Sequence, residues 1–313
     1  MGDYSLLVCL ALARGAGNRS ILCNSSDSRS FLLGLSLLML ISLSCKRAQF
    51  PFIAWLPAAI AAPTPVSALV HSSTLVAAGV YLGIRRFRVM TPLVLLMLGA
   101  LSSWRRALSS LRALFCIDGK KVIALSTLSQ ISIVGIVLSL GLPSLALFHL
   151  LTHAFVKSYL FLSLGLVLHS SHGAQDFRSL GVGRSPVRTL HLVVALIALS
   201  AMPFLTIFFS KEVLILTSLQ SGFCLLATVI LLLGSCVTLL YSFRLVSSLF
   251  LAPTSLRALK NKDSLVASIL VTGLFPRVFL GRQLGPLTGR FLLSSRRRGP
   301  LILISVFFGL SSL

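Results

Sequence analysis

The sequence predicts an all-α fold, a polytopic membrane bundle of about nine or ten helices, two of them broken by proline. Three observations predict it. The 313-residue chain is 56% hydrophobic and 11% charged, with a mean hydropathy of +0.98, where a soluble domain carries roughly 25% charged residues. Its apolar residues gather in runs suited to helices of roughly 20 residues. Two of those runs meet both a lysine and prolines: Lys46 ahead of Pro51, Pro57, Pro63 and Pro65, and Lys211 behind Pro203.

The elements follow in order. Gly2 to Ala13 is apolar but short for a full span. Arg14 to Ser30 is polar and reads as a loop. Phe31 to Ser44, continuing toward Trp55, reads as the first broken helix. A charge at the bilayer centre costs about 2.5–3.5 kcal/mol, and each proline removes a backbone donor. A membrane segment carries both only where protein or water satisfies the freed groups, which is how transport proteins build ion sites. The plainer reading is a Lys46 that snorkels beside a loop.

Val66 to Ile84 reads as one clean span. Thr91 to Leu114 is apolar at its front but then carries Arg105, Arg106 and Arg112, a costly set unless the three reach an interface. A span opens after Asp118 and ends near Leu140, and Gly141 to Pro143 makes a tight turn. Leu145 to Leu168 holds His149, His153 and Lys157, spaced four apart and so on one helix face. Leu190 to Phe209 is the second broken helix, interrupted by Pro203 and closing on Ser210-Lys211-Glu212. Phe223 to Phe250 is long, Leu265 to Leu280 is shorter and contains Pro276, and Leu301 to Leu310 is short for a span. Two lysines beside two broken spans are consistent with inverted internal repeats.

Twenty-eight Lys and Arg face six Asp and Glu, a formal charge of +22. In a soluble chain that would point to nucleic acid. Here most basic residues lie between apolar runs, where snorkelling and anionic headgroups account for them, and no aromatic-interleaved basic stretch appears. No nucleic-acid partner is expected; membrane lipids are. The size of the excess has no explanation in the sequence. The six cysteines, Cys9, Cys23, Cys45, Cys116, Cys224 and Cys236, form no C-x-x-C pair and read as small apolar fillers rather than a disulfide or metal framework. His149 and His153 could share a zinc ion, but no third ligand is evident, so no metal is expected. Nucleophile elbow, phosphate-binding glycine loop and paired carboxylates are absent, which leaves little material for hydrolysis or nucleotide binding.

Ala48-Gln49-Phe50-Pro51, Trp55-Leu56-Pro57 and the run PTPVSALVHSSTLV from Pro63 to Val76 resemble the signature of the antiporter-like subunits of proton-pumping NADH:ubiquinone oxidoreductase, respiratory complex I. Asp118 to Gln130, the connector Gln175-Asp176-Phe177-Arg178 and Ser210-Lys211-Glu212 resemble further blocks. His-Ser-Ser-Thr-Leu-Val favours the mitochondrial subunit-5 branch; bacterial relatives more often read His-Ala-Ala-Thr-Met there. The resemblance implies a core membrane-arm subunit in the mitochondrial inner membrane, made inside the organelle and inserted without a presequence. It implies NADH, FMN, iron–sulfur clusters and ubiquinone on other subunits, with no cofactor in this chain, and a neighbouring antiporter-like subunit as partner. Residues 1–250 are expected to form a proton-translocating membrane domain lacking the family's N-terminal helices. Residues 251–313 are expected to form a shortened C-terminal membrane region with no evident lateral helix.

By that resemblance Lys46 is the central pump lysine, His71, His149 and His153 are relay residues, Lys157 is a further axis member, and Lys211 is the lysine of the second broken helix. Asp118 and Asp176 are expected to anchor loops. Chemistry supports such a set, because buried lysine changes its proton affinity as nearby charge moves and histidine exchanges protons near neutrality. In the family a glutamate pairs with the residue matching Lys46, and no glutamate precedes Gly2. Either the gene starts late, or a separate chain supplies the missing half. The rival functions are a subunit of a cation/proton antiporter complex and a non-pumping structural scaffold.

Overall fold

The computed structural model describes residues 2–15, 26–46, 52, 59, 61–72, 75–170, 175–179, 186–203, 205–220 and 225–251. Outside them lie the expected break at Pro51 to Pro57, the span Leu265 to Leu280, and the whole C-terminal region with Arg296 to Arg298. The described residues form ten α-helices: α1 (Gly2–Gly15), α2 (Ser26–Lys46), α3 (Thr64–Ser72), α4 (Leu75–Arg85), α5 (Pro92–Phe115), α6 (Gly119–Ser139), α7 (Pro143–Ser170), α8 (Pro186–Ser200), α9 (Thr206–Gln220) and α10 (Leu225–Leu251). Of these, α6, α7 and α10 are long and apolar enough to cross a membrane.

One boundary differs from expectation. The second helix already includes Ser26, five residues inside the expected loop, because hydropathy marks where apolar residues start while a helix needs only favourable backbone. The span expected over Val66 to Ile84 is covered by α3 and α4, with residues 73–74 between them outside the described residues.

The α6 helix is the axis of the bundle. It packs against α5, α7 and α10 and is buried along nearly its whole length. A helix apolar all round is a buried one, and α6 shows why. Its serines turn their hydroxyls back onto their own backbone: Ser126 donates to Ile123 O at 2.7 Å, Ser129 to Ser126 O at 2.8 Å and Ser139 to Ile136 O at 2.6 Å. Small polar residues therefore cost little inside and let neighbouring helices approach closely. One apolar cluster gathers Val122 and Ile123 with Tyr159, Leu160 and Leu164 of α7, Leu192 and Leu196 of α8, and Leu245 of α10. A second joins Ile131, Val134 and Leu138 of α6 with Leu43 of α2, Val80 of α4, Leu98 of α5 and Leu214 of α9.

The α5 helix is turned inside out. Its large apolar residues Leu93, Met97, Trp104, Leu111 and Phe115 are exposed, while Ser102, Ser103, Arg105, Arg106, Ser109 and Ser110 are buried. The expectation that its arginines reach an interface holds only for Arg112, which is exposed. Arg105 and Arg106 point inward, because the lipid-facing side of the helix belongs to the large apolar residues. Arg106 donates to Ser129 O and to Leu231 O, each at 3.2 Å. Its side chain lies where a β-carbon on Gly234 would stand, 2.4 Å from Nε, so any larger residue there requires the guanidinium to shift. Arg244 of α10 caps the same helix, donating to the carbonyls of Ala113, Leu114 and Cys116.

Gly141 takes φ +80° in the turn between α6 and α7, as expected of the Gly141 to Pro143 punctuation. Asp118 and Asp176 meet in an isolated antiparallel bridge, with Gly119 N–H donating to Gln175 O at 2.9 Å. Both aspartates thus anchor connections, as the sequence suggested. The Lys121 ammonium, paired with Asp118, holds that carboxyl below the usual carboxylate range.

Candidate buried proton path

Helix α7 carries the site. The four-residue spacing of His149, His153 and Lys157 puts all three side chains inward, and each is almost wholly buried. The rings of His149 and His153 stand 6.3 Å apart between centroids. Lys157 donates to Ile123 O at 3.1 Å and to the Ser126 hydroxyl. The Ser126 side chain that binds Ile123 O thus holds the ammonium as well.

The second lysine is placed by the helix break. The α8 helix ends at Ser200, Ala201 follows with φ 66°, and Pro203 precedes α9. The last four carbonyls of a helix lack internal donors, and a cation is favoured there. Lys211, on the far side of the break, reaches back to Leu199 O at 3.2 Å and to Thr238 Oγ1 of α10 at 3.3 Å. The break therefore makes the acceptor that holds the lysine.

Ser210 links α9 to α7. Its hydroxyl bonds His149 Nδ1 at 2.9 Å and Thr152 Oγ1 at 3.3 Å, and donates to Ile207 O at 3.0 Å. Among the described residues neither His149 Nε2 nor His153 Nε2 has a hydrogen-bond partner.

No aspartate or glutamate is among the described buried side chains, while Arg105, Arg106, His149, His153, Lys157, His191 and Lys211 are. Among the described buried side chains the site is a row of basic groups with no carboxylate. Two charges 6.3 Å apart, the spacing of the histidine rings, repel by about 2.6 kcal/mol at an effective dielectric of 20.

The NADH:quinone oxidoreductase/Mrp antiporter transmembrane family matches residues 5–240. The chain belongs to this family. It is 43% identical to NADH-ubiquinone oxidoreductase chain 5 of Mytilus edulis over 256 residues, which cover 80% of this chain and 45% of that one. It is 45% identical to the protein of that name from Artemia franciscana over 221 residues, 69% of this chain and 40% of the other. The chain thus spans less than half the length of these two relatives. Among solved structures it resembles a chain of the archaeal membrane-bound sulfane sulfur reductase complex, at TM-score 0.78 and 26% identity, over 93% of this chain and 62% of that one. A chain of the Mrp complex from Dietzia sp. DQ12-45-1b shares the fold at TM-score 0.76 and 20% identity, over 93% and 64%. This antiporter-family chain is an integral, multi-pass membrane protein.

The structure brings four of the six expected residues, His149, His153, Lys157 and Lys211, into one polar seam. Lys46 stands apart. It closes α2 and forms an ion pair with Asp3 of α1. The Asp3 carboxylate that pairs with Lys46 is exposed. His71 lies in α3, and its side chain is outside what is described.

Sequence reasoning missed Asp3, Ser126, Ser210, Thr238 and Arg106. Asp3 had a signal, being one of six acids in the chain and sitting at the start of an apolar helix. Ser210 stood in the Ser210-Lys211-Glu212 motif without a role. Arg106 had one in the apolar stripe on the opposite face of α5. Ser126 and Thr238 had none, because a hydroxyl residue in an apolar run reads the same whether it lines a seam or fills a gap.

Proposed function

We propose that this chain is a membrane-arm subunit of mitochondrial NADH:ubiquinone oxidoreductase, resident in the inner membrane, and that it carries protons across while electrons pass elsewhere. One observation supports it above the rest: Lys211 bonds Leu199 O across the helix break, and its neighbour Ser210 bonds His149 on the face of α7 that also holds His153 and Lys157. Quinone reduction on other subunits would shift charge at one end of the line, and the repulsion among its bases would pass that shift along. NADH, FMN, iron–sulfur clusters and ubiquinone would be held by those other subunits. The chain-5 relatives support the assignment to complex I. Lys46 with Asp3 would form the entry pair, and His71 would join it to the α7 line.

The test is Lys157→Ala in the assembled complex, reconstituted in liposomes with a dye that reports internal pH. The expected outcome is assembly at the normal level with proton delivery at least about tenfold lower, the scale of a lost proton-transfer group. Undiminished delivery at normal assembly would leave a scaffold and remove the pump.

A further inference from the structure

Between Lys157 and Lys211 the described bonds leave a gap. Lys157 ends at Ser126 of α6, and Lys211 ends at Thr238 of α10. Tyr241 of α10 stands at the Ser126 end of that gap. It lies three residues beyond Thr238 and so on the same face of α10, one turn on. It is wholly buried, and its hydroxyl stands against Ser126, Ser129 and Gln130. Yet among the described residues that hydroxyl makes no hydrogen bond of normal geometry, and neither end of the Gln130 amide makes one. Buried polar groups are nearly always partnered, and leaving one unpaired costs about 1–3 kcal/mol. These three buried polar atoms lie on α6 and α10, the helices whose Ser126 and Thr238 bind the two lysines.

We propose that Tyr241 passes protons between Lys157 and Lys211, with the Gln130 amide orienting its hydroxyl. The inference rests on the proton-carrying function proposed above. In the step, the Ser126 hydroxyl turns from Ile123 O, gives its proton to a lone pair of Tyr241 Oη and takes one from the Lys157 ammonium; the proton already on Oη passes toward Thr238, whose hydroxyl turns from Ser235 O and gives its own proton to the neutral Lys211 amine. At each hydroxyl one O–H bond forms and one breaks, and Tyr241 ends neutral. Rotation about the Cζ–Oη bond resets it. A bridging water between Tyr241 and Thr238 would complete the link at little cost. The Arg106 guanidinium, bonded to Ser129 O, is the fixed positive charge beside this passage, and it keeps a proton from resting there.

The test compares Tyr241→Phe, Gln130→Leu, Lys157→Ala and Lys211→Ala in the complex reconstituted in liposomes. Phenylalanine keeps the ring and removes only the hydroxyl. Tyr241→Phe is expected to assemble normally, to lower proton delivery per quinone reduced at least about tenfold, and to raise the solvent deuterium isotope effect on delivery. A packing role alone would leave that isotope effect unchanged. Delivery within twofold of the unaltered protein in Tyr241→Phe, with both lysine variants impaired, would overturn the role of Tyr241 alone. Unimpaired delivery in both lysine variants would overturn the proton-carrying function itself. Should Tyr241→Phe fail to assemble, Gln130→Leu decides: a loss with a raised isotope effect supports the passage, and delivery within twofold of normal refutes it.

Discussion

Arg106 is the residue whose position is hardest to reconcile with a membrane interior. It is fully buried among backbone carbonyls, with no carboxylate among the described buried side chains. An ion buried without a counter-charge costs several kcal/mol. Removing its side chain leaves a cavity, and cavities cost about 24 cal/mol per Å³, so for a volume of arginine size the gain and the loss are of similar scale. Ser102, Ser103, Ser109 and Ser110 already line the same buried stripe, and a serine at 106 would continue it. Arg106→Ser is therefore expected to leave the midpoint of thermal unfolding unchanged or higher by a few degrees. Scanning calorimetry of the purified complex checks this, and a fall of more than about 5 °C, roughly 3 kcal/mol for a chain of this size, would show that the guanidinium is a structural bracket. Nothing local in the sequence forecast the burial of Arg105 and Arg106. The spacing of Leu93, Met97, Trp104, Leu111 and Phe115 did contain the answer, since a lipid-facing stripe fixes which side turns inward.

At the scale of elements, two features place the site: the contact of α5 with α10 and the break between α8 and α9. In the first, the Arg106 side chain rests on the bare backbone at Gly234. Gly234→Ala is expected to push the two helices apart and destabilise by about 1–3 kcal/mol, the usual cost of overpacking. In Arg106→Ser the same alanine meets open space, so the double variant should recover most of the loss. Denaturant unfolding of the four proteins measures that coupling. Additive losses would mean that the two positions do not share the contact. The break was legible beforehand, because Pro203 beside Lys211 announces it. The acceptor it creates was not legible, since the carbonyl of Leu199 becomes available only when Ala201 takes a left-handed backbone. Likewise the spacing of His149, His153 and Lys157 fixed their shared face. That this face meets Ser210 of α9 and Ser126 of α6 depended on how three helices pack, which no local pattern encodes.

Across the whole molecule, hydropathy was enough to read an all-α membrane bundle, because lipid accepts only backbones that satisfy themselves. It did not tell which apolar helix lies inside. α6 and α10 are alike in hydropathy, yet α6 is sheathed by its neighbours while α10 shows Leu226, Leu233, Leu240 and Phe243 to the lipid. The polar seam runs where α6, α7, α9 and α10 converge, between the two apolar clusters, so a change of charge at one lysine is felt by the next without any large motion. The central claim is that this seam moves protons. Its most direct test is the number of protons translocated per quinone reduced, measured in liposomes with the unaltered complex and with Lys211→Met. The account predicts that quinone reduction persists while the ratio falls by the share this chain carries. An unchanged ratio at unchanged assembly would contradict it.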